Sequence, residues 1–313
     1  MFSFGSVRVT SNFFPTIFYF KGEKMIFMNR TSVILLLGLI IAASGCTSTE
    51  SPELQKIHVD AEEADTNLSG QEILNSSIKK IKSTESHRTN STNQLALSAS
   101  VFSLDIDMDT IAALNYTSKT SESSIDGKIT AGASYIGTNT TEFNSASYTD
   151  ENSSYVKRAN RTENSTGEWT QYDSGFDQHP ATLQTRLLKD SEAKLLGTDT
   201  VNGNETYLLS LENMLNASSQ HFSQVFLKYG SELSGRSEET EGVDEENVDS
   251  TQTYLWIDQE SMKPVRFSYF ISVDVKSNEE GLFNADGSMQ IKSQNTYTAY
   301  NQKQNIRIPE EVR

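Results

Sequence analysis

One cysteine, four histidines and five prolines serve all 313 residues, and the first two scarcities each remove a class of explanation. A lone cysteine, Cys46, makes no intramolecular disulfide, so no covalent bridge supports the fold. His58, His87, His179 and His221 are scattered, and none has a partner histidine at zinc spacing. No Gly-rich phosphate loop follows a strand pattern. The apolar run from Val33 to Ala43 is eleven residues, about half of the roughly 20 that a comfortable helical membrane span needs. Basic residues are scarce beside acidic ones, 26 against 42, and such a surface repels phosphate backbones and excludes nucleic-acid binding as the natural reading.

What is present around Cys46 gives an address. Arg30 precedes the apolar run, and the small residues Ala43, Ser44 and Gly45 end it directly before the cysteine. This is the layout of an export signal over residues 28–45. "ASGC" resembles a prokaryotic lipobox, in which the cysteine is lipidated and becomes the new N-terminus. The implied protein is exported, anchored to the cell membrane through a lipid on Cys46, and faces outward. Residues 1–27 fit no export logic and read as an over-extended gene start, with Met28 or Met25 as the true one. Removing residues 1–45 takes away Arg8, Lys21, Lys24 and Arg30 but only Glu23, leaving 22 basic and 41 acidic residues and a net charge of −19. A covalent lipid, rather than a basic patch, then has to hold the membrane.

Ten Asn-x-Ser/Thr sequons lie in the mature chain, about twice the number that chance placement gives. Asn115, Asn139, Asn152, Asn164 and Asn204 are glycosylation candidates among them. Glycosylation would favour an archaeal-type envelope; a polar exported surface rich in Asn, Ser and Thr gives the same pattern without it.

Residues 46–66 are polar and acidic and read as a flexible, lipid-anchored tether. The domain then spans 67–313. Ser69 and Glu72 form a capping-box pattern opening a helix to about Lys82, with Ile73, Leu74, Ile78 and Ile81 on its apolar side. Alternating residues follow: Leu95 and Leu97 in one phase, then Phe102, Leu104, Ile106 and Met108 in the other. That switch predicts a β-bulge near Val101–Phe102. Further strands are expected at 127–137, 140–149, 153–159 and 167–173. A short helix at 183–188 leads to a hairpin with arms 192–201 and 204–210, turning at Asn202-Gly203. A longer helix over 213–233 carries Phe222, Val225, Phe226 and Tyr229 on one face. Residues 234–251 read as an acidic solvated loop. "TYLWIDQESMKPVRFSYFISVDV" is strand, turn, strand, and a last strand covers about 288–299. The expected fold is α+β: a large curved antiparallel sheet, an incomplete barrel, closed by two or three helices.

Chemistry is sparse. Asp105, Asp107 and Asp109 alternate along a strand, with neither the Gly turn nor the bidentate Glu of a calcium loop, and read as a solvent-facing acidic edge. Nothing calls for a cofactor or metal, and no catalytic set is evident. The aromatic residues Phe222, Phe226, Tyr229, Trp256, Phe267 and Tyr269 fall on elements expected to face one another. They form either a packed core or the lining of a groove.

The helix at 70–82, "EAKLLGTDTVNGNETYLLSLE", "YLWIDQESMKPVRFSYF" with Trp256-Ile257-Asp258 and Pro264, and the closing "YNQKQNIRIPEEV" together resemble the LolA-like superfamily of envelope lipid- and lipoprotein-binding proteins over about 67–313. The resemblance implies an incomplete barrel with an apolar cavity and a lipid or acylated ligand. Phe222, Val225, Phe226, Tyr229, Trp256, Phe267 and Tyr269 are then the candidate ligand contacts; periodicity and bulk single out Phe222 and Phe226 as the lid and Phe267 and Tyr269 as the floor. The membrane tether and the acidic loop depart from that pattern, so local lipid handling or sensing is expected rather than ferrying between membranes. The alternative is a non-enzymatic surface module that binds proteins or glycans and fills its interior with its own side chains.

Overall fold

The structure is a computed structural model that describes residues 53–99, 102–133, 137–161, 165–173, 175–178, 188–212, 248–275, 287–304, 306–307 and 309–312. One α-helix, α1 (Gly70–Lys82), precedes eleven strands: β1 (Ser86–Ala99), β2 (Phe102–Asn115), β3 (Thr120–Ala133), β4 (Gly137–Thr149), β5 (Ser154–Asn160), β6 (Ser165–Tyr172), β7 (Glu192–Val201), β8 (Asn204–Glu212), β9 (Val248–Asp258), β10 (Pro264–Val275) and β11 (Gly287–Thr298). All eleven join one sheet in the order β6-β5-β4-β3-β2-β1-β11-β10-β9-β8-β7. Every neighbouring pair is antiparallel. Two meanders, β1–β6 and β7–β11, are thus fused along the β1–β11 seam, which runs from Arg88↔Thr298 to Ala99↔Gly287.

The expected helix at 70–82 stands where its sequence places it. Ser69 Oγ accepts from the Glu72 amide, and the Glu72 carboxylate accepts from the Ser69 amide at 2.8 Å. Those bonds hold the Glu72 carboxyl below its usual range, the backbone bond contributing most. Ile73, Leu74, Ile78 and Ile81 are buried. Gly70 brings the helix against β7 at backbone distance: a Cβ there would lie 2.5 Å from the Leu195 nitrogen and 2.6 Å from the Ala193 oxygen. Both obstacles are main chain and do not rotate away. Gly70→Ala is expected to cost about 2–3 kcal/mol in chemical denaturation, against about 1 kcal/mol for the cap variant Ser69→Ala.

Several expectations need correction. Among the described residues there is one α-helix, not two or three. Of the short helix expected at 183–188, only Leu188 lies among the described residues, where it is buried in a 3-10 turn, Leu188–Asp190; residues 183–187 lie outside them. The helix expected at 213–233 lies outside the described residues. The acidic loop ends sooner than expected, because β9 starts at Val248.

No bulge joins the two phases of the first alternating stretch. Ala99 pairs with Phe102, so the chain reverses across two residues into a hairpin. Leu97 then faces Leu104, and Leu95 faces Ile106. A two-residue reversal changes the parity of the inward positions just as a bulge does. β3 begins at Thr120, seven residues before the alternation of apolar residues suggests, because its first inward positions are the buried serines Ser121 and Ser123. The three aspartates of β2 stand on an interior strand, not an edge, and Asp107 and Asp109 accept from Gln94 and Thr92 of β1.

From Glu53 onward the chain is laid against the sheet instead of hanging free as a tether. The Leu54 amide donates to Gln290 Oε1 (2.8 Å), the Ile57 amide donates to Gln252 Oε1 (2.9 Å), and Glu62 forms a two-bond bridge with Thr198 of β7. Val59 packs on Trp256, Leu208, Val201 and Val265. The chain then rounds the β7 edge into α1, so this segment and the helix lie on opposite faces.

Candidate ligand-binding face

Strand pairing without register shifts from β10 through β11, β1, β2 and β3 to β4 fixes which side chains share a face. The inner face carries the main core, where α1 meets Leu209, Leu211, Leu255, Ile257, Phe267 and Ile271. Sorting these six strands by parity separates charge completely. Arg88, Asp105, Asp107, Asp109, Glu122, Asp126, Lys128, Glu142, Arg266, Asp274 and Lys292 all fall on the outer face. On the inner face of the same strands there is no Asp, Glu, Lys or Arg. Arg158 of β5, opposite Ser145, is the first charge met beyond β4.

The uncharged face is built of ribs that cross the strands. One rib runs Ile271–Ile291–Leu95–Ile106–Ile129 through β10, β11, β1, β2 and β3. Beside it lies Val273–Met289–Leu97–Leu104–Ala131. Burial falls along the first: Ile271, Ile291 and Leu95 are buried, whereas Ile106 and Ile129 are half-buried. On the other flank Phe143 of β4 lies over Gly127, where a Cβ would meet the ring at 2.3 Å.

Next to the aliphatic ribs is a polar square on β1 and β11. Ser91 Oγ donates to Asn295 Oδ1 (2.6 Å), Asn295 Nδ2 donates to Ser293 Oγ (3.0 Å), and Ser293 Oγ donates to Asn93 Oδ1 (2.7 Å). Tyr269 is hydrogen-bonded with Ser293. Farther along, His87 is buried among Tyr116, Tyr297 and Tyr300, with ring centroids 5.6–5.8 Å apart. Burial pushes the Tyr269, Tyr297 and Tyr300 hydroxyls well above the usual tyrosine range. Unfolded tyrosines ionise near pH 10, so above that pH the unfolded state holds fewer protons than the folded one. Stability is therefore intact below about pH 10 and falls as pH rises beyond it, by about 1.4 kcal/mol per pH unit for each tyrosine that stays protonated. Denaturant midpoints measured between pH 8 and 11.5 check this; a flat profile contradicts it.

Phe267 and Tyr269 do come together on the inner face, their rings 5.8 Å apart, but both are buried. Trp256 does not join them. It pairs with Arg266 on the outer face, donates its indole N–H to Asp199 Oδ2 at 2.7 Å, and lies beneath the Arg266 guanidinium. Its neighbours Leu255 and Ile257 are the inward residues of β9. Phe222, Val225, Phe226, Tyr229 and Cys46 lie outside the described residues. Of the glycosylation candidates, Asn139, Asn152 and Asn204 are exposed, Asn115 is half-buried with its Oδ1 accepting from the Ser118 amide, and Asn164 lies outside the described residues. His58 is exposed and pairs with Asp60 at 3.2 Å; His179 and His221 are outside the described residues. Among the described residues no three His, Cys, Asp or Glu side chains gather to hold a metal. No described helix is long and apolar enough to cross a membrane.

Leu95 and Ile106 were legible in the sequence only as alternating strand residues, and neither they nor Ile129 and the Ser/Asn square were among its candidate ligand contacts. Their signal was available in one form: once the strands are assigned, the charges of each fall on a single parity.

No protein-family model and no curated protein matches the chain. Among solved structures, it is similar to a LolA superfamily protein from Nitrosomonas europaea, with 11% identity, 78% of this chain and 97% of the other covered, and a TM-score of 0.21. It is also similar to a DUF1329 family protein from Desulfovibrio piger, with 7% identity, coverages of 76% and 95%, and a TM-score of 0.24. TM-scores this low assign neither family nor function.

Proposed function

We propose that this protein is an envelope lipoprotein, held to the membrane by a lipid on Cys46, that binds a lipid or other apolar ligand against the inner face of its sheet. It handles or senses that ligand locally and performs no catalysis. The separation of charge carries the reading: six adjacent strands place every ionised side chain on one face and leave the other with aliphatic ribs. A core that only had to be filled has no need to carry its aliphatic rib out to half-buried Ile106 and Ile129. Each methylene buried there is worth about 0.8 kcal/mol, so a chain that covers ten gains about 8 kcal/mol before ordering costs.

Burial of Phe267 and Tyr269 favours the surface-module alternative on its own side of the sheet, since there the interior is occupied. The proposed seat is accordingly shifted from β10 to β1–β4. Titrating purified protein with a fluorescent long-chain acyl probe tests the proposal. Saturable uptake supports it, and no uptake leaves the filled-core module as the better account.

A further inference from the structure

Resting on that ligand-binding reading, we infer that the ligand is an electrically neutral amphiphile whose head presents a hydrogen-bond acceptor, an ester or amide carbonyl or a hydroxyl, to Asn93. The direction of the polar chain on β1 and β11 leads there. Asn295 Nδ2 donates to Ser293 Oγ, which has one proton and passes it to Asn93 Oδ1. The second donor bond of Asn295 Nδ2 goes to the Phe267 carbonyl (3.5 Å), and its Oδ1 accepts from Ser91. Asn295 is therefore fully used and buried, and Ser293 both accepts and donates. Asn93 ends the chain. Its Oδ1 is taken, which fixes the amide orientation, and its two Nδ2 hydrogens have no acceptor among the described residues. Asn93 is half-buried and stands two positions from Leu95, so the free donor lies at the border between the polar square and the aliphatic rib.

Charge decides the class of head. The inner face from β10 to β4 holds no cation. Arg158 is four strands from Ser91 along its rib, roughly 19 Å at the usual strand spacing. An ionised carboxylate or phosphate at Asn93 would be desolvated with no counter-charge on these strands. A neutral carbonyl or hydroxyl loses far less and gains the Asn93 donor.

The test compares two probes of equal chain length on detergent-free protein at pH 8.5: a fluorescent monoacylglycerol and the corresponding fluorescent fatty acid. The monoacylglycerol is expected to bind at least about tenfold more tightly, and the gap is expected to narrow as pH falls toward the range where the acid takes up its proton. Asn93→Ala removes the N–H donors without introducing a charge, together with the acceptor that Ser293 uses. Its expected effect is a loss of about fivefold or more for the monoacylglycerol, in the range of one hydrogen bond, with the thermal midpoint as a check on folding. Equal or tighter binding of the ionised fatty acid by wild-type protein overturns the head-group assignment alone, whatever the variant does. Uptake of neither probe overturns the ligand-binding reading beneath it.

Discussion

Ile129→Asp is expected to abolish uptake of a fluorescent acyl probe while the far-ultraviolet β signature is retained. The residue closes the aliphatic rib on β3, opposite Ile106 on one side and Thr141 on the other. It is half-buried, so in the free protein water reaches the new carboxylate and the sheet tolerates it. A bound chain would strip that water, and no cation stands on the inner face of the surrounding strands to compensate. Burying an uncompensated carboxylate costs several kcal/mol, and about 2.7 kcal/mol already amounts to a hundredfold loss of affinity. The control is the adjacent residue. Lys128→Asp makes a larger change of charge one position away but on the outer face, and it is expected to leave probe affinity within twofold. Comparable losses in both variants would mean that the two faces are not functionally distinct.

The second large effect concerns the anchor. Cys46→Ser is expected to move the protein from the membrane fraction to the soluble fraction. The only thiol of the chain follows an apolar run too short to span and three small residues, and the chain beyond residue 45, at net −19, is too acidic for a basic patch to be expected in place of a lipid. A single acyl chain gives weak, reversible binding, whereas two or more hold firmly, so firm retention of the wild-type protein on washed membranes would report multiple acylation. If the variant still sediments with membranes in the absence of detergent, the lipid-anchor reading is wrong.

How far the sequence reached depended on how local the determining physics is. The capping box of Ser69 and Glu72 is a four-residue device, and α1 begins where it predicts and ends at Lys82, where the apolar periodicity stops. Asn202-Gly203 does the same for the β7–β8 turn, with both residues at positive φ. The β1–β2 hairpin escaped because "ASVF" has none of the Asn, Asp or Gly residues that usually mark a two-residue reversal. Only the pairing of Ala99 with Phe102 distinguishes it from a bulge.

Trp256 was misplaced for a related reason. In "YLWID" successive positions are apolar, because β9 is buried on both faces: Leu255 and Ile257 inward, Trp256 outward under Val59 and Arg266. Period-two reasoning has no phase to read in such a strand. The segment from Glu53 looked like a tether because its composition is polar and acidic. Half-buried Leu54, Ile57 and Val59 are too widely diluted by Lys56, His58 and Asp60 to signal docking, and the glutamines that receive it lie about two hundred residues away. The seat on β1–β4 is non-local in the same way. Leu95, Ile106 and Ile129 become neighbours only through sheet register.

The most direct measurement of the central claim is mass spectrometry of an organic-solvent extract of the protein, purified from its native membrane and washed free of detergent. A lipid bonded to Cys46 would stay with the polypeptide, so any lipid in the extract was held non-covalently. The account predicts a defined neutral amphiphile in near-stoichiometric amount from wild-type protein and its absence from Ile129→Asp. An extract with no lipid above the blank, from protein that also takes up no acyl probe, would contradict it.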